Sequence, residues 1–141
     1  MEEGTRYLAD KSALARVRIP EVDAVITPLL RDNEIGVCSA TQLEILYSAL
    51  GYNAFQAIRY ELDRIYPLVP TLQADFDRAI DVMEELSRRG RHRSVGSEDL
   101  IIAAVAERAR LTVLHYASDY DYVAAVTGQP MEWVVPRGTV A

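Results

Sequence analysis

The chain has one cysteine, one tryptophan and one lysine in 141 residues. A lone cysteine, Cys38, excludes an internal disulfide and offers no thiolate metal motif. Its place in Ile35-Gly36-Val37-Cys38 makes it a small core residue and fits a reducing compartment. No stretch reaches the ~18 consecutive apolar residues that a membrane span needs. The start, with Glu2 and Glu3, lacks a basic-then-apolar leader pattern. The expectation is a cytoplasmic protein without membrane association. His92 lies among arginines and His115 has no zinc or triad partner nearby, so histidine chemistry is not indicated. Internal repeats, low-complexity stretches and linkers are absent as well, which leaves one domain over residues 1–141.

Charge is unevenly spread. The net charge of -6 argues against non-specific adhesion to nucleic acid. Yet Arg88, Arg89, Arg91 and Arg93 fall within six residues, together with His92. Lys11 is the only lysine, so every other basic residue carries a guanidinium, whose planar fork suits phosphate. By default this cluster is a solvated helix end. Its functional reading is a set of RNA phosphate contacts, or a receiver for acidic groups of a partner.

Short apolar runs alternate with helical periodicity, the pattern of an α/β fold. Tyr7-Leu8-Ala9, Ile35 to Cys38, Leu111 to Leu114 and Trp133 to Val135 read as strands. Helices are expected from Ala13 to Arg18, closed by Pro20, and then over 21–32. The next starts at Ser39 or Thr41 and carries Leu43, Leu46, Tyr47 and Leu50 on one side. Another follows Asn53, from Ala54 to Ile65. The longest starts at Thr71 with Leu72, Phe76, Ile80, Met83 and Leu86 as its apolar stripe. Ser97 caps a helix to Arg110 that is apolar nearly all round and therefore central. Tyr120 to Val126 forms the last. The tyrosines read mostly as core or groove residues.

Four acids stand at matching places in this pattern. Asp10 follows the first strand, with Ser12 as the cap of the helix after it. Glu44 lies in the first turn after the second strand, where the helix dipole favours an acid. Asp99 opens the helix before the third strand, and Asp119 follows that strand. In a parallel α/β sheet these places converge on one edge. Carboxylates ~4 Å apart repel by ~4 kcal/mol at an effective dielectric of about 20. Such a group either raises its pKa values or takes up a divalent cation. All-oxygen ligands favour Mg²⁺ or Mn²⁺.

These residues carry a resemblance. Asp10-Lys11-Ser12-Ala13, Glu44 within Thr41 to Tyr47, Ser97 to Ala104, and the tail from Val126 to Val134 resemble a PIN domain of the VapC toxins of VapBC toxin–antitoxin systems. The resemblance implies a three-layer α/β/α fold with a short, mainly parallel sheet. It also implies a Mg²⁺- or Mn²⁺-dependent endoribonuclease that cuts structured RNA, tRNA or rRNA, and so inhibits translation. A homodimer and a cognate VapB-like antitoxin are implied as partners. Carried over by position, Asp10 and Asp99 are the metal ligands, Glu44 completes the acidic set and Ser12 supports it. The family's fourth acid falls on Ala117, whose methyl group cannot ligate a metal. Either Asp119 serves instead, or Ala117 is a substitution that silences the enzyme; the intact flanking pattern favours the second. The alternative is a catalytically inactive PIN-like module that binds a partner through helices 21–32 and 54–65. A haloacid-dehalogenase-like phosphatase would need a second Asp where Ser12 stands.

Overall fold

The computed structural model describes residues 4–141, so the Glu2-Glu3 start lies outside it. Its centre is a four-stranded parallel sheet in the order β2-β1-β3-β4. The strands are β1 (Tyr7–Ala9), β2 (Ile35–Gly36), β3 (Thr112–His115) and β4 (Met131–Trp133). Tyr7 pairs with both Ile35 and Thr112, which puts β1 in the middle. Parallel strands need crossovers, and helices supply them. These are α1 (Lys11–Leu14), α2 (Pro20–Arg31), α3 (Ser39–Tyr47), α4 (Tyr52–Ile65), α5 (Gln73–Arg88), α6 (Ser97–Ala109) and α7 (Asp119–Thr127).

Alternate strand residues face opposite sides, and the two apolar cores follow from that. Leu8 and Val113 pack with Val82, Leu86, Ile102 and Val105 on one face. Ala9, Ile35 and Leu114 pack with Val22 and Ile26 on the other. Helices cover both faces, giving the expected α/β/α layering. At Gly36 a side chain would collide with Val69, since a built Cβ lies 3.0 Å from Val69 Cγ2 and 3.1 Å from the Pro67 carbonyl. The absent side chain lets Val37 bridge in parallel to Leu68 beyond the strand.

All four strands and the buried helix α6 lie where the sequence places them, within a residue or two at their ends. Helix starts differ more. At two of them, Ser12 and Thr41, the hydroxyl that looked like a cap is used in another contact. Ser12 lies inside α1, and the cap is Asp10, whose carboxylate accepts from the Ser12 N–H at 2.9 Å. Pro20 does not close a helix but opens α2 at its first turn, where a missing N–H costs nothing. Thr41 is buried within α3 and donates to the Ala9 carbonyl (2.9 Å), pinning α3 to β1. Cys38, Gly51, Leu72 and Gly96 hold the other cap positions, in place of Ser39 or Thr41, Asn53, Thr71 and Ser97.

The apolar stripe of α5 also needs correction. Its buried face is Asp75, Ala79, Val82 and Leu86, whereas Phe76 and Ile80 are exposed. Leu43, Tyr47 and Leu50 are exposed too, and Tyr47 is 92% open to solvent. Tyr52 and Tyr60 join them outside the core. These helices carry a second apolar face that the core does not cover.

Candidate metal centre

Asp10, Glu44 and Asp99 each offer a carboxylate oxygen, and these oxygens lie within 4.8 Å of one another. Three different elements deliver them. Asp10 follows β1 on the central strand, and its N–H donates to the Leu114 carbonyl (3.0 Å), which extends the sheet to the site itself. Glu44 projects from the body of α3, not from its first turn as the sequence suggested. It therefore loses most of the dipole's help. Asp99 sits in the first turn of α6 as expected.

Asp10 is 3% exposed and held from both sides. Its Oδ2 accepts from the Ser12 N–H and from Ser12 Oγ (2.6 Å), and Ser12 Oγ in turn accepts from the Tyr116 N–H at 2.8 Å. Ser12 thus supports Asp10 through its hydroxyl. Behind it, the Tyr116 hydroxyl accepts from the Gly138 and Val140 N–H groups and donates to the Val140 carbonyl. Asp10 Oδ1 accepts from the hydroxyl of Tyr120 (2.8 Å), which also lies 3.2 Å from Asp99 Oδ1. Tyr120 is fully buried and belongs to the site, although the sequence marked it only as one tyrosine among several. A usable signal was there: Tyr120, Val123 and Thr127 recur at helical spacing, so α7 turns its tyrosine inward.

The electrostatics follow from burial and like charge. Glu44 is pushed up to about 7, first by burial and then by the charges of Asp10 and Glu98, with Lys11 opposing. Asp99 rises to about 8 through burial, a hydrogen bond with Asp119, and the charge of Asp10. Glu44 Oε1 is buried and has no hydrogen-bond partner. Among the described residues no arginine or lysine forms an ion pair with the three acids. An orphaned carboxylate oxygen beside two others is a donor set short of a cation. Hard oxygen ligands of this kind fit Mg²⁺ or Mn²⁺.

Asp119 stands at the margin, beside Asp99 but outside the 4.8 Å set; its Oδ2 accepts from the Gly96 N–H at 3.4 Å. The half-buried Ala117 carries no ligand atom, and its N–H donates to His115 Nδ1 (3.2 Å). That contact puts the His115 proton on Nε2, which is buried and unpartnered, and burial lowers the ring's pKa. The arginine cluster is not drawn into the acids. Arg88 pairs with Glu84 and Glu85, Arg89 pairs with Glu85, and Arg91 lies over the Tyr122 ring at 5.2 Å. Arg93 is exposed. The loop that carries Arg91 and Arg93 leads directly into α6, and so to the rim of the site.

Known proteins resemble this chain in sequence and in fold. The PIN domain family model matches residues 7–126. Ribonuclease VapC18 of Mycobacterium tuberculosis is 43% identical over 95% of this chain and 98% of its own length. Ribonuclease VapC21 of the same species is 41% identical over 96% and 98%. Among solved structures, DNA-bound VapBC from Salmonella typhimurium superposes with a TM-score of 0.73 at 15% identity, covering 93% of this chain and 99% of that one. With its acids at the C-terminal edge of a parallel sheet and near full-length likeness to these relatives, the chain belongs to the PIN-domain family of VapC ribonucleases.

Proposed function

We propose that the protein is the toxin of a type II toxin–antitoxin pair, a Mg²⁺- or Mn²⁺-dependent endoribonuclease acting on structured RNA, tRNA or rRNA. The observation that carries the metal dependence is the orphaned Oε1 of Glu44 beside Asp10 and Asp99. Asp10 and Asp99 would hold the cation and Glu44 would complete the acidic set. A divalent ion bound there would supply charge to a phosphate and lower the pKa of a water. Ser12 keeps Asp10 oriented while the site is loaded. Asp119, at the margin, is the nearest available substitute for the fourth acid. Arg91 and Arg93 approach RNA phosphate from the rim, whereas Arg88 and Arg89 are largely occupied by glutamates.

Partners find support on the surface. Exposed Leu43, Tyr47 and Phe76 line a cavity of about 640 Å³ beside Glu44. An uncovered apolar face of this kind suits a second copy of the chain. A smaller recess of about 310 Å³ lies between α1, α3 and α4, lined by Leu14, Ile45, Ile58 and Leu62. It suits a VapB-like antitoxin segment, as the complexes named VapBC among its structural relatives suggest. Helix α4 contributes Ile58, Glu61, Leu62 and Ile65 to this recess, and α2 contributes none of its lining. No described helix is long and apolar enough to cross a membrane. Action in the cytoplasm is part of this proposal, since tRNA and rRNA are there.

Ala117 favours a second reading, a PIN-like partner-binding module with little turnover. One experiment separates the two. RNA cleavage with Mg²⁺ or Mn²⁺ is measured for the chain itself, for Ala117→Asp, and for Ala117→Asp combined with Asp10→Ala. Cleavage by Ala117→Asp that vanishes with Asp10→Ala supports the nuclease. Equal cleavage by the single and double variants would show that the site is elsewhere, and no cleavage by any of them favours the binding module.

A further inference from the structure

The phenol of Tyr120 is the one neutral side chain among the described residues whose hydroxyl reaches two of the three acids. It stands 2.8 Å from Asp10 Oδ1 and 3.2 Å from Asp99 Oδ1. Its ring is fully buried and leans on His115 with centroids 4.8 Å apart, so the hydroxyl has a fixed address. The two carboxylates arrive from different elements, the end of β1 and the start of α6, and they repel. A single O–H set between them offsets part of that repulsion and limits the rotation of both groups. Ser12 takes the other oxygen of Asp10, so the two hydroxyls together leave that carboxylate one orientation.

We propose that Tyr120 is a positioning residue for the metal: its hydroxyl sets the spacing and angle at which Asp10 and Asp99 meet a divalent cation. The inference rests on the metal reading above. Groups that orient metal ligands from behind are worth roughly 10- to 100-fold in affinity when removed. Tyr120→Phe removes the hydroxyl and keeps the ring against His115.

The test is calorimetric titration of Mn²⁺ into the full chain, with the unfolding temperature of the metal-free protein measured alongside. The expected result is a Mn²⁺ dissociation constant weaker by roughly 10-fold or more in Tyr120→Phe. Val123→Ala, a cavity in the same helix, should lower the unfolding temperature and leave the Mn²⁺ affinity unchanged. Unchanged affinity in Tyr120→Phe overturns the proposal while the metal reading stands. So does a loss in Val123→Ala as large as that in Tyr120→Phe, because general loosening would then explain both. A parent chain that binds no Mn²⁺ overturns the metal reading and this inference with it.

Discussion

Among the described residues, the buried acids Asp75 and Asp10 sit in different company, Asp10 beside half-buried Glu44 and Asp99, and only Asp75 is answered by a cation. Asp75, 1% exposed on α5, receives both arms of Arg108 from α6 at 2.8 and 3.0 Å, and also the Leu72 N–H at 2.8 Å. The same guanidinium donates to the Pro70 carbonyl, so donor and acceptor are both satisfied. Asp10 and Asp99 share the Tyr120 hydroxyl, Glu44 Oε1 has no partner, and no ion pair reaches any of the three. A buried charge that the chain itself neutralises serves the fold. A partly buried set that it leaves without an ion pair has the chemistry to take up a cation from outside.

That contrast is open to attack. The largest effect should come from Asp10→Ala in the Ala117→Asp chain. Loss of a ligand to a charge-stabilising ion removes several kcal/mol from the transition state. Cleavage rates should then fall by about 1,000-fold or more, while the Asp75–Arg108 pair stays as it was and the lost α1 cap costs only about 1–2 kcal/mol of stability. Next comes Arg108→Ala. It strands Asp75 without its cation and should cost about 3–5 kcal/mol in denaturant unfolding, with Mn²⁺ affinity untouched. If Arg108→Ala weakened Mn²⁺ binding as much as it weakened the fold, the two sets would not be independent.

A smaller effect has a definite sign. Glu44 and Asp99 ordinarily titrate near 4.5 and 3.8 and stand at about 7 and about 8 in the folded chain. The folded protein therefore binds more protons than the unfolded one across that interval. The stability this brings is complete below the unfolded values and is lost as pH rises through the folded ones. The metal-free unfolding temperature should thus fall between about pH 5 and about pH 9. Asp99→Asn should flatten the fall, and Mn²⁺ should reverse it at the alkaline end. Protons compete for the same oxygens, so Mn²⁺ affinity should drop as pH falls below about 8. The smallest effects belong to the arginine cluster. Arg88→Ala, at an exposed pair, should change stability by less than about 0.5 kcal/mol. Arg91→Ala should reduce the salt slope of RNA binding by about 0.7.

Strands and the order of the acids were legible because both are local. Tyr7-Leu8-Ala9 ending on Asp10 needs no distant partner to be recognised. Asp99 in the entrance of an apolar helix is equally plain, and its burial follows from its neighbours. Cap positions were not legible, because Ser12 and Thr41 serve Asp10 and β1, contacts that only the folded chain reveals. Helix α5 misled for a related reason. It has two apolar faces, and periodicity cannot say which one meets Val82's side of the core and which one, with Phe76 and Ile80, stays open. Glu44 was found but misplaced within its helix, since moving the start of α3 back to Ser39 takes it out of the first turn. Tyr120 was missed in role because its hydroxyl matters only once β1 and α6 stand on either side of it.

The contact between Tyr120 and Asp10 joins residues 110 positions apart, across a central strand that must wait for β3 to be made. A ribosome building this chain releases Asp10 first, and Tyr120 follows 110 positions later. At synthesis rates of about 5–20 residues per second, several seconds separate the two. Until then the growing polypeptide holds its acids on unconnected segments. Asp10 and Asp99 can therefore be held together by Tyr120 only once β1, α6 and α7 have all left the ribosome.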